Sequence, residues 1–157
     1  MRRRDREITD MKVIESILSD ARYMHLGMFD AEYPYVVPLF YGHVLQADGR
    51  LTLYAHCAKV GHKLDCITRN NRVFAVIDRE ESLITDDTPC LYSAKYGSIM
   101  CRGRASVVED KEEKCRALHV LMRTQTGRDF EINENAADMV AIIRIDVDSY
   151  TAKARLR

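Results

Sequence analysis

The sequence predicts a mainly β protein with a few short helices, folded as a small closed antiparallel barrel whose openings the helices cover. Apolar residues alternate with a period of two along several segments, and turn signals such as Asp30-Ala31-Glu32 and Asp48-Gly49 join those segments directly. Helical periodicity is confined to three short stretches, so strands are not separated one by one by crossover helices and a doubly wound sheet fits poorly. Closure would also remove the edges that an open sheet of this composition would have to protect. With 157 residues, 46% of them hydrophobic, the chain can fill one core and reads as a single domain over residues 1–157, residues 1–8 forming an N-terminal tail.

Asp10 is placed to cap a first helix in which Val13, Ile14, Ile17 and Leu18 recur at helical spacing while Lys12, Glu15 and Ser16 face water. From Tyr23 the period changes to two, and Met24, Leu26 and Met28 share one strand face. A second arm runs from Pro34 to Gln46. Pro38 in its middle has no N–H to donate to a ladder, which marks an edge, a bulge or an opening. After the Asp48-Gly49 turn, Leu51 to His56 alternates as a third strand. Gly61 to Asn70 reads as a short helix with Leu64 and Ile67 inward, Arg72 to Asp78 returns to strand, and Arg79 to Pro89 reads as a loop. A β region from Cys90 to Val108 is expected to break near Tyr96-Gly97. Asp110, with Glu113 three positions on, resembles a capping box opening a helix to about Thr124, with Leu118, Leu121 and Met122 inward and Gly127 as its stop. A polar loop, Arg128 to Asp138, then leads to a last strand, Met139 to Val147.

The 24 basic and 24 acidic side chains leave no net charge to steer the chain toward polyanions, which disfavours nucleic-acid binding. The longest apolar run, Tyr35 to Tyr41, contains Pro38 and falls far short of the roughly 18 residues a membrane-spanning helix needs. Met1-Arg2-Arg3-Arg4 imitates the start of a signal peptide, but Asp5, Arg6 and Glu7 stand where an apolar segment would begin, so a soluble cytoplasmic protein is expected. The five cysteines, Cys57, Cys66, Cys90, Cys101 and Cys115, form no CxxC pair, which favours reduced thiols.

Chemistry concentrates in Tyr54 to Asp65. A strand delivers His56 to its end, a small turn follows, and Gly61 opens a helix whose free amides, together with Lys59 and Lys63, make a cradle for an anion such as a phosphate. On residue type alone, two lysines at a helix start are more often solvated surface than an anion site. His56 is either a strand-end histidine satisfied by backbone or an active-site group able to donate a proton near neutral pH. His62 and Cys66 lie four apart on one helical face and, with Cys57, are of the type that binds zinc, but they complete no tetrahedral set and no metal is expected. His25, His43 and His119 show no partner pattern and read as structural. No nucleophile triad or paired-carboxylate site stands out, which fits chemistry carried by a cofactor.

Four blocks occur in order: Arg2 to Asp10; Tyr33-Pro34-Tyr35-Val36-Val37-Pro38-Leu39; His56 to Lys63; and Lys95-Tyr96-Gly97-Ser98-Ile99 with Gly103-Arg104-Ala105. Together they resemble the nitroimidazole-resistance flavoproteins of the pyridoxamine 5′-phosphate oxidase-related, flavin-binding split-barrel superfamily. The resemblance implies a six-stranded antiparallel split barrel, a homodimer with FMN at the interface, and electron transfer from NAD(P)H to a small organic acceptor such as a nitroimidazole or nitroaromatic. It assigns the flavin ring to Val36, Val37, Pro38 and Leu39 and the phosphate to the block holding His56, Cys57, Lys59, Gly61 and Lys63. Tyr96 and Ser98 would come from the other subunit, and His56 would be the catalytic group. Cys57 and Gly97 depart from the family pattern, in which Ser or Gly and a basic residue are common. Haem binding, with His56 or His62 as axial ligand, and a non-catalytic flavin carrier are the alternatives the same barrel allows.

Overall fold

The computed structural model describes residues 4–155, apart from the side chain of Glu81; the basic start, Met1 to Arg3, lies outside the described residues. Seven strands form one antiparallel sheet: β1 (Glu7–Ile8), β2 (Tyr23–Met28), β3 (Tyr35–Leu45), β4 (Leu51–Cys57), β5 (Arg72–Ile84), β6 (Ser93–Val107) and β7 (Ala141–Arg155). Their order is β1-β7-β4-β3-β2-β5-β6, and β6 returns to pair with β7. Strands β2 to β7 therefore close the barrel that the sequence predicts, with the six strands that the resemblance implies, and β1 adds to the outside of β7. Four helices decorate it: α1 (Met11–Asp20), α2 (His62–Arg69), α3 (Lys111–Thr126) and α4 (Glu134–Ala137).

The alternation read from the sequence is the alternation of burial. Met24, Leu26 and Met28 of β2, Leu51, Leu53 and Ala55 of β4, and Val73, Ala75 and Ile77 of β5 all point into one core. Helix α1 adds Ile14, Ile17 and Leu18 to it, and the Tyr41 hydroxyl donates to the Leu18 carbonyl at 2.6 Å, tying strand to helix. Asp10 caps α1 through the Lys12 amide and Asp110 caps α3 through the Glu113 amide, as their spacing predicts, and Gly127 ends α3 in the left-handed conformation at φ 67°. The turn before β4 closes with Gln46 N–H donating to the Arg50 carbonyl at 2.9 Å, and Gly49 supplies its positive φ of 86°.

Four expectations are corrected. The loop placed at Arg79 to Pro89 is mostly strand, because β5 runs to Ile84 opposite Ser93 after a register shift between Glu80 and Ser82. That bulge breaks the two-residue period on which strand reading depends. Strand β6 passes unbroken through Tyr96-Gly97, and Gly97 is required there because a Cβ would stand 2.7 Å from Ile17 Cγ1 of α1. Strand β7 continues past Val147 to Arg155, its buried face reduced to Ala152 and Ala154, which are too small to give a hydrophobic signal. Within the expected polar loop, Asn133 caps the short α4. Within the segment read as an N-terminal tail, Glu7 and Ile8 pair with Lys153 and Ala152. Among the described residues, no helix is long and apolar enough to cross a membrane.

Candidate active site

Strand β4 carries His56 and Cys57 to the barrel rim, where they pair with Ile142 and Ala141 of β7. On its other side β4 meets β3 first at Ala55 opposite Tyr41, so the preceding β3 residues, Tyr35 to Phe40, pair with β2 alone. The chain has left the ladder there for α2, and β3 turns an unpaired edge toward the departing segment. Pro38, opposite His25 on the β2 side, lies in the middle of this edge, where a missing N–H costs little. Along it Val36 and Pro38 face outward, while Val37 and Leu39 are half-buried and pack against the core. The four residues assigned to a flavin ring thus offer it one strand edge and two outward side chains.

His56, Lys59 and Gly61 are exposed and Lys63 is half-buried. Gly61 has φ 149°, a conformation that favours glycine, and a Cβ built on it meets nothing within 4 Å. Open space therefore lies over the start of α2, which no side chain caps. Burial raises the pKa of the Cys57 thiol and the Lys63 ammonium partly offsets that rise, so sulfur and lysine share one corner of the site. These parts fit a phosphate: backbone amides at a helix start, an ammonium and room.

Tyr96 and Ser98 are not with them. Val107 of β6 pairs with Ile143, beside the His56–Cys57 rim, whereas Ser98 pairs with Lys153, nine residues along the same strand. At ~3.3 Å per residue that is about 30 Å measured along β6, while round the barrel Ile99, next to Ser98, is linked to Leu39 through Ile77 and Met24, three spacings of roughly 4.8 Å. Tyr96 lies near α1, where its hydroxyl accepts from Arg6 at 3.4 Å and Lys153 Nζ sits 5.7 Å from the ring centroid. Burial alone would raise the Tyr96 pKa, and hydrogen bonds from Arg6 and Lys153 hold it below its ordinary value instead. One chain does not gather the two halves of the predicted site.

Sequence reading missed Asp30. The turn after β2 places its carboxylate Oδ2 2.5 Å from His62 Nε2, with Cys66 Sγ 3.5 Å from the same nitrogen. Arg69 Nη2 reaches Asp30 Oδ1 at 3.3 Å and Cys66 Sγ at 3.5 Å. The hydrogen bond from His62, then that from the Ala31 amide, holds the Asp30 carboxyl below the usual range. The histidines read as structural also have acidic neighbours: His25 with Asp78 at 3.5 Å, His43 with Glu15 at 2.8 Å and His119 with Asp129 at 3.2 Å. A cleft of about 630 Å³ between α1 and α3, lined by Glu15, His43 and Thr124 among others, lies apart from the His56–Lys63 rim.

A family model described as pyridoxamine 5′-phosphate oxidase matches residues 10–154. The chain belongs to the pyridoxamine 5′-phosphate oxidase family. Within that family it is similar to a solved candidate 5-nitroimidazole antibiotic resistance protein from Bacteroides thetaiotaomicron, at 36% identity over 94% of this chain and 86% of that one, with a TM-score of 0.78. An FAD- and haem-binding protein from Mycobacterium smegmatis is 14% identical over 95% of this chain and 73% of its own, with a TM-score of 0.77. An FAD-binding protein from Mesorhizobium loti is 20% identical over 96% and 97%, with a TM-score of 0.67. These last two likenesses establish the fold alone. A comparison with curated proteins gives no match.

Proposed function

We propose that this member of the pyridoxamine 5′-phosphate oxidase family is an FMN-dependent oxidoreductase that passes electrons from NAD(P)H to a small organic acceptor, such as a nitroimidazole or nitroaromatic. The reading is carried by the open corner at the start of α2, where Gly61 leaves space beside Lys63 and the unpaired β3 edge runs toward it. Likeness to the Bacteroides protein supports the nitro-compound class. Lys59, Lys63 and the first amides of α2 would hold the phosphate, and the edge of Tyr35 to Phe40 would receive the ring. Bound there, a flavin supplies hydride acceptance and donation. His56, exposed at the rim, would give a proton to the reduced acceptor.

The reading requires two copies of the chain. Tyr96 and Ser98 pair with β5 and with the far end of β7, not with the strand that carries His56, and a homodimer would bring the partner copy's β6 to the rim. The outer face of the barrel suits that role. Tyr23, Val36, Phe40, Phe74 and Met100 are 40–56% exposed on neighbouring strands, and the Tyr23 and Phe40 rings lie 4.8 Å apart. Bound haem, which the Mycobacterium smegmatis likeness raises as the second reading, would need an axial ligand, and His56 is exposed at the rim.

An absorption spectrum of the protein as isolated tests the cofactor: flavin bands support the reading, whereas a Soret band, or a colourless protein that binds no added FMN, overturns it. Lys63→Ala should weaken FMN binding about tenfold or more, roughly the worth of one charge-assisted phosphate contact. Steady-state oxidation of NADH or NADPH with a nitroimidazole then separates an enzyme from a carrier.

A further inference from the structure

We propose that Asp30, His62 and Cys66 form a zinc-class divalent metal site where the turn after β2 meets α2. Its ligands are Asp30 Oδ2, His62 Nε2 and Cys66 Sγ, with solvent as the fourth. One ligand atom from each residue lies within 4.8 Å of the others. Ligand atoms around tetrahedral zinc stand roughly 3.3–3.8 Å apart, given metal–ligand bonds of about 2.0–2.3 Å. The 3.5 Å between His62 Nε2 and Cys66 Sγ already meets that spacing, and the 2.5 Å contact with Asp30 needs to open by about 1 Å.

The chemistry of the three donors selects the ion. A thiolate, an imidazole and a carboxylate suit zinc, whereas calcium and magnesium prefer oxygen donors alone. A single ring nitrogen directs one lone pair or one proton along its axis, yet both Asp30 Oδ2 and Cys66 Sγ face His62 Nε2. A cation at that convergence point satisfies all three; a simple histidine–aspartate pair has no use for the buried sulfur. Arg69 takes the other carboxylate oxygen, Oδ1, and so leaves Oδ2 for the metal; its second contact is to Cys66 Sγ at 3.5 Å. The Tyr35 ring meets the His62 imidazole edge-on at 4.9 Å and fixes its plane. Solvent reaches the site through His62 and Asp30, whose side chains are 49% and 24% exposed, while Cys66 lies beneath.

Binding is a ligand exchange without redox change: the metal–sulfur bond forms as the Cys66 S–H bond breaks, and its proton leaves to solvent. The site uses neither His56 nor Lys63, but it borders the proposed flavin site, since His62 is the first residue of α2 and packs against Tyr35 at the start of the β3 edge. The test is titration of the reduced, full-length protein as isolated with Co²⁺ and with Zn²⁺. Spectra are recorded as differences before and after metal, so that any flavin absorbance cancels. One equivalent per chain, a sulfur-to-cobalt charge-transfer band displaced by zinc, and one proton released per metal are expected. His62→Ala and Asp30→Asn should each lower affinity tenfold or more with an unchanged far-ultraviolet circular dichroism spectrum, and Cys66→Ser should remove the band. Arg69→Ala should keep the band and lower affinity by about tenfold, as loss of a supporting contact does. Absence of the band in the wild-type protein, or metal binding that His62→Ala and Asp30→Asn leave unchanged, overturns the proposal.

Discussion

The Cys101 thiol faces the core from β6, and burial pushes its pKa from 9.0 up to about 12. Between those values the unfolded chain has lost a proton that the folded chain keeps, so stability falls as pH rises through the window and is unaffected by this group below about 9. Tyr41 shifts the same way, first through burial and then through the nearby Cys101 and Glu15. The midpoint of urea unfolding should therefore drop between pH 9 and pH 11, and Cys101→Ala should make that drop shallower; an equal slope in the variant would contradict the assignment. At neutral pH a thiol reagent should modify the exposed Cys90 first and leave buried Cys66 and Cys101 untouched until the chain unfolds. Residues of this kind differ in how far the sequence announces them. His56, Lys59, Gly61 and Lys63 were legible because one short segment holds them all. Asp30 was not, because it meets His62 from 32 positions away and only the hairpin of β2 and β3 brings it there.

At the scale of elements, the helices were the most readable parts, because their ends carry local chemistry. Asp110→Ala removes the cap at the Glu113 amide and should cost about 1 kcal/mol, visible as a lower melting temperature. Gly42→Ala should cost more, roughly 3 kcal/mol, since its Cβ would sit 2.5 Å from Leu121 backbone atoms of α3. If the order of these two losses were reversed, α3 would not pack on β3 as closely as described. The strands were legible only while both faces kept their contrast. Strand β5 was lost beyond Asp78, where the register shift reverses which side faces inward, and β7 was lost beyond Val147, where buried isoleucines give way to exposed Ser149 and Thr151 and to the small buried Ala152 and Ala154.

Considered whole, the barrel buries its interior face and leaves an apolar stripe outside, from Tyr23 through Phe40 and Phe74 to Met100. Composition could announce that enough apolar residues exist, not on which side of the sheet they lie. Under the proposed dimer, Phe40→Glu combined with Phe74→Glu should halve the mass seen in sedimentation and release FMN, while circular dichroism stays unchanged. A monomeric wild-type protein would remove the dimer, and flavin retained by a monomeric variant would show that one copy suffices.

Glu7 faces Lys153 and Ile8 faces Ala152, so residues near the two extremities run on adjacent strands. Circular permutation follows: a short linker from residue 155 to residue 4, with new ends cut at Asp48-Gly49, interrupts no ladder, because that turn projects beyond β3 and β4. A chain rewired in this way should melt cooperatively, which makes the order of the strands along the polypeptide separable from the order in which they sit side by side.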